Sequence, residues 1–474
     1  MARSRHDCAP KPGQFVSSDL SCQHADIDML NKNTPARDLI KQVFATFLPG
    51  DGRATTVQTP NGHPVPLAKP TTVYDSASKR HCHGSPVGQS AEQLIVPICD
   101  PAHSGSDCAA LQDQGQFLAR QDRWGDLSSR IAEADKARRN TPHGLPVAEL
   151  LAHGARSDVV NAVEHALSLG HAADRRKMIE GVMGLEAMCV EHRDDPYLRT
   201  LVALAHIDVA WIWRGYSDVL SITVANGQRC AAHFDRAAAL LHPLDGIALN
   251  SPFIAAAKTA LLAGQRSAGT TQVADDFAAL IDLDPDNHRH MRSLGTHMLP
   301  RWFGDYTALE LEARRTAART EATWGHGAYA WVYFDAIALD PEACARVDID
   351  FFMDGLRDIV ARRPDQEMIN LLASYCAVAL RYSEETAAKG TPQRAEIVEA
   401  AEWLIRDHLR EIHPLIWAHA AQRFDNNLRI ASPRRFADHG RKDALAFIAK
   451  LFRHEIEAGQ RVEFSAKGLR VTSN

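Results

Sequence analysis

Proline after aspartate punctuates this chain. The pairs are Asp195-Pro196, Asp284-Pro285 and Asp340-Pro341, with Arg363-Pro364-Asp365 as a variant. Proline cannot continue a helix, and it drives the preceding residue out of the helical region. Each pair therefore ends one helix and can open the next. Between the joints, apolar residues recur at helical spacing. In 198–214 they fall at Leu198, Leu201, Val202, Ala205, Val209 and Ile212, with Leu204, Ile207, Trp211 and Trp213 on other faces. A helix apolar on nearly all sides must be buried between neighbours. Residues 368–380 have the same character, whereas 309–322 carry a wet face of Glu and Arg. Inner and outer helices in alternation predict an all-α fold of stacked helix pairs.

Glycine supplies a second kind of joint. Trp124-Gly125-Asp126-Leu127 and Phe303-Gly304-Asp305-Tyr306 echo each other. The expected reading is a left-handed glycine, an Asp that caps the next helix, and flanking apolar groups packed across the bend.

Three regions follow from these patterns. Residues 1–105 are irregular, with one helix from Thr34-Pro35 to Pro49-Gly50, and then either short strands at 55–59 and 65–68 or one long loop. Residues 106–458 are helical. Residues 459–474 change period: Val462, Phe464, Leu469 and Val471 alternate around Lys467-Gly468, as in a hairpin or an extended tail.

The 45% hydrophobic and 24% charged content is that of a soluble protein. A net charge of −6 argues against a nucleic-acid binder, whose domain is usually basic. No apolar run reaches the roughly 18 residues of a membrane span. The N-terminus lacks the apolar stretch of a signal peptide. The nine cysteines are an odd number, and free thiols in a reducing cytoplasm are the simplest account.

Residues 277–306 resemble the tetratricopeptide repeat. Phe277, Leu283-Asp284-Pro285-Asp286-Asn287 and Leu294-Gly295 match the end of one repeat and the start of the next. Gly304-Asp305-Tyr306 resembles the turn between paired helices, displaced by two residues, and Met291 and Met298 stand where the family has Trp and Tyr. The proline spacings of 89, 56 and 23 residues are not multiples of the family's 34. Pro300-Arg301-Trp302-Phe303-Gly304 is also similar to a motif of bacterial helical-repeat proteins, with Phe303 where glycine is usual. The resemblance implies a degenerate α-solenoid that binds a protein or peptide in a groove, without catalytic residues.

No nucleotide-binding, hydrolase or metalloprotease motif is present, so a non-enzymatic adaptor is the first expectation. The expected groove residues are Trp302, Tyr306, Trp324, Tyr329, Trp331 and Tyr333, interleaved with Gly325 and Gly327. Packed in the stack, the same aromatics would be core.

The alternative is a metal-dependent enzyme or regulator in which a His/Cys-rich N-terminal segment covers the helical body. Thiolate and imidazole are zinc ligands, and Cys8, Cys22, His24, His81-Cys82-His83, Cys99, His103 and Cys108 supply them without regular spacing. His288, His290 and His297 beside Asp284 and Asp286 form a second candidate set, read otherwise as a wet helix start. His206 and Asp208 interrupt an apolar helix. Two residues apart, they face different ways, so each needs its own buried partner.

Overall fold

The computed structural model describes residues 93–100, 106–142, 144–168, 175–215, 223–264, 268–380, 392–422 and 432–473. The helix and strands expected before residue 70 lie outside these, as do Cys8, Cys22, His24, His81, Cys82, His83 and His103.

The described chain is mostly helical. The helices are α1 Ser106–Arg120, α2 Trp124–Lys136, α3 Val147–Ser168, α4 Arg175–Glu191, α5 Pro196–Arg214, α6 Val224–Leu241 and α7 Pro252–Ala260. They continue as α8 Thr270–Leu283, α9 His288–His297, α10 Tyr306–Arg319, α11 Glu321–Trp324, α12 Gly327–Leu339, α13 Pro341–Arg346 and α14 Ile349–Arg362. Last come α15 Gln366–Ser374, α16 Pro392–Trp403, α17 Pro414–Ala421, α18 Pro433–Leu451 and α19 Arg453–Glu457. α15 and α16 each end in a π-helical turn. No described helix is long and apolar enough to cross a membrane.

The joints show how each helix starts. The Asp195 carboxylate accepts from the Tyr197 and Leu198 amides, Asp340 from Glu342, and Asp365 from Met368. A cap of this kind is worth about 1 kcal/mol. Two joints differ from expectation. After Asp284-Pro285 the chain turns, and Asn287 caps α9 instead. Gly125 and Asp126 lie inside the first turn of α2, so that Asp is no cap. At the echoing joint Asp305 does cap α10 through the Ala308 amide. Gly304 is needed there for close approach, since a Cβ would lie 2.3 Å from the Met298 carbonyl oxygen.

Two apolar cores form. One gathers α1 to α7; the other runs from α7 through the C-terminal strands. α7 serves both, giving Phe253, Ile254 and Ala257 to the first and Ala255 to the second. Polar groups tie the seam. Buried Asp135 accepts from Ser251 Oγ (2.5 Å) and the Phe253 amide (2.9 Å). Arg138, left-handed at φ 51°, donates to Asn250 Oδ1 and the Leu283 carbonyl.

The chain closes with a small sheet. β2 (Gln460–Ser465) and β3 (Gly468–Ser473) pair antiparallel, Val462 opposite Val471 and Phe464 opposite Leu469. β1 (Leu94–Ile95) adds to β2 in parallel. A further bridge joins Ile98 to Ile412. The segment before residue 100 is thus stitched to the C-terminal part of the helical body.

Candidate functional site

α12 packs against α9, α10 and α14, which is why its sequence is apolar on nearly every side, Asp335 excepted. Trp324, Tyr329, Trp331 and Tyr333 are buried in that core, so four of the six expected groove residues present no open face. Tyr329 stacks on Phe351 with centroids 4.5 Å apart. The Tyr329 and Tyr333 hydroxyls both donate to Glu310 Oε2, at 2.7 and 2.8 Å. Burial first, with Glu310 adding to it, pushes both phenols far above the ordinary tyrosine range. Trp324 Nε1 donates to the Pro285 carbonyl, tying α11 to the joint before α9.

The other two reach the surface. Trp302 is 38% exposed in the turn after α9. Its ring lies 6.2 Å from that of His297, which stacks on Phe303. Four residues on, Tyr306 opens α10 and donates to Asp340 Oδ2 across the next joint. The Arg346 guanidinium sits 5.0 Å above the Tyr306 ring. Leu339, beside Asp340, is 42% exposed. Two neighbouring joints therefore bring Tyr306 and Arg346 together beside exposed Leu339, with Trp302 four residues before Tyr306 in the chain.

The histidines at the joint point into different surroundings. His288 is half-buried, with its ring 4.2 Å from Trp331. Burial and then the cations Arg292 and Arg289 lower its pKa well below the usual value, so it packs as a neutral ring. His290 meets Asn287 at 3.1 Å and Asp284 at 3.8 Å. It borders a small cleft of about 20 Å³ lined also by Asp135, Glu149 and Phe253, room for a water rather than a ligand. His297 bonds the Ser293 carbonyl through Nδ1. Among the described residues, His288 and His290 join no group of three metal-ligating atoms.

His206 and Asp208 do have separate partners. Asp208 pairs with Arg156 at 2.6 Å. His206 Nε2 lies 2.9 Å from Glu186 Oε1, and its Nδ1 lies 2.8 Å from His233 Nδ1. Arg236 grips both Glu186 oxygens at 2.6 Å. Burial pushes the Glu186 carboxyl up, but Arg236 and then His206 outweigh it and hold it at about 2. Burial, and then His206, push His233 down to about 3. A carboxylate can only accept, so His206 donates from Nε2, and the two facing Nδ1 atoms share one proton. This is a closed chain of matched donors that joins α4, α5 and α6. Glu186, His233 and Arg236 sit on other helices and leave little trace in the sequence; the one signal is a histidine inside the Ala/Phe-rich face of α6.

Of the N-terminal zinc candidates, Cys99 and Cys108 fall within the described residues. Cys99 meets Glu411 and His413, one ligand atom from each lying within 4.8 Å of the others. The chain gives no significant match to a protein-family model, a curated protein or a solved structure.

Proposed function

We propose that this is a non-enzymatic binding protein, a degenerate tetratricopeptide-like α-solenoid that docks a protein or peptide segment on the surface around Trp302, Tyr306, Leu339 and Arg346. The observation that carries the reading is Trp302. It is 38% exposed, whereas Trp324, Tyr329, Trp331 and Tyr333 are packed away. Trp, Tyr and Arg carry most of the binding energy at protein interfaces. Here Tyr306 is held by Asp340 and covered by Arg346, so little side-chain freedom remains to be lost on binding. A leucine beside them supplies apolar area. The buried free thiols of Cys189 and Cys376 support a reducing, cytoplasmic setting.

Tagged full-length protein, recovered from cells after mild crosslinking, tests this by mass spectrometry of its adducts. The reading expects a discrete protein adduct with the wild type, depleted roughly tenfold in a Trp302→Ala/Arg346→Glu variant. Equal recovery from both, or a wild type that comes through alone, contradicts it.

A further inference from the structure

We infer that Cys99, Glu411 and His413 form a zinc site that clips the segment before residue 100 onto the helical body. This goes beyond the docking surface and is independent of it.

The pleat brings the three side chains together. Ile98 and Ile412 are partners in a parallel bridge, with the Cys99 amide donating to the Ile412 carbonyl (2.8 Å) and the Ile412 amide to the Pro97 carbonyl (2.9 Å). Side chains alternate along an extended chain, so the residues flanking each bridge partner turn to the opposite side. Those residues are Cys99 on one segment, and Glu411 and His413 on the other. The result is a thiol, an imidazole and a carboxylate within 4.8 Å of one another. Ligand atoms around a tetrahedral zinc lie roughly 3.4–3.7 Å apart, as its bond lengths require. Side-chain rotation by Cys99 and Glu411 closes the remaining gap.

The half of the site on the helical body is built in advance. Gln366 Oε1 accepts from the amides of Arg410 and Glu411, and Asn370 Nδ2 donates to the Glu411 carbonyl. Asn370 Oδ1 accepts from the His413 amide and from Trp417 Nε1. Two side chains of α15 thereby fix the backbone on both sides of Ile412.

The imidazole also has spare capacity. The His413 side chain is 9% exposed. Its Nε2 lies 3.1 Å from Glu411, and its Nδ1 is buried with no hydrogen-bond partner. The carboxylates of Glu411, Asp100 and Glu367 all act on Cys99, so the surroundings are anionic and suit a divalent cation. Sulfur, nitrogen and oxygen together suit zinc better than calcium or magnesium, which take oxygen alone. Three protein ligands leave a fourth position for water. Binding expels the thiol proton to solvent, so affinity rises with pH.

Cobalt and zinc titration of the full-length, chelator-stripped protein tests the site. One Co²⁺ per chain should give a thiolate charge-transfer band that zinc abolishes, and Cys99→Ser should lose the band. Zinc should slow alkylation of Cys99 roughly tenfold or more in the wild type, while Cys230, also partly exposed, reacts at an unchanged rate. A band that survives in Cys99→Ser, or equal Cys99 alkylation with and without zinc, overturns the proposal.

Discussion

His206 and His233 face each other through their Nδ1 atoms at 2.8 Å, in the interior where α5 meets α6. Two nitrogens this close need one proton between them. The Glu186 carboxylate beyond His206 accepts from its Nε2. The pair links a buried acid, held ionised by Arg236, to a ring that resists protonation.

That arrangement predicts acid sensitivity. His233 has a folded pKa of about 3 against an ordinary 6.5, so the unfolded chain binds more protons between those values. Stability therefore falls as pH drops through that window, by at most about 1.4 kcal/mol per pH unit for one proton. Glu186, depressed from 4.5 to about 2, adds a second loss between those values with the same sign. Urea midpoints measured from pH 7 to pH 4 check this. His233→Gln should flatten the slope over that range, and an unchanged slope contradicts the assignment.

Breaking the ion pair should cost more than removing it whole. Glu186→Ala strands the Arg236 guanidinium and one His206 nitrogen, an expected loss of about 3–5 kcal/mol. Glu186→Ala/Arg236→Ala should lose less than the sum of the two single variants. Denaturation of the four proteins closes the cycle. Additive losses would mean that the contact contributes nothing.

Gly295 and Gly125 make a paired test of packing. A Cβ on Gly295 would lie 1.7 Å from the Val332 carbonyl oxygen, so α9 and α12 touch backbone to backbone there. Gly295→Ala should destabilise by about 1–3 kcal/mol or more. A Cβ on Gly125 meets nothing within 4 Å, and the residue is helical. Gly125→Ala should be neutral or stabilise by about 0.5–1 kcal/mol. Thermal unfolding of the two variants should move in opposite directions; a shared direction contradicts the packing.

The helical class was legible in local signals. Asp before Pro is a cap in front of a helix-opening residue, and Asp195 and Asp340 act that way. Apolar periodicity places α5 within two residues of its observed start. Leu294-Gly295 marks a close helix approach that the structure contains. Burial of the aromatics was the harder question, because one sequence pattern serves a core helix and an exposed face alike. Only the position of α12 between three neighbours decides that Tyr329, Trp331 and Tyr333 face inward. Long-range pairs such as Cys99 with His413, or Glu186 with His206, leave no local trace.

The exposed patch should be separable from stability. Trp302→Ala and Arg346→Glu remove groups that solvent already reaches, so unfolding midpoints should shift by no more than about 0.5 kcal/mol equivalent. A large loss in either would mean that the patch is structural, and would undercut its reading as a docking surface.

A photo-crosslinking amino acid at position 302, expressed in the full-length protein in living cells, is the most direct measurement. Irradiation should give a discrete protein adduct, lost when Arg346→Glu is added and absent when the probe stands at Leu249, which is more exposed still. The same adducts from positions 302 and 249, or none from 302, would contradict a docking surface at this joint.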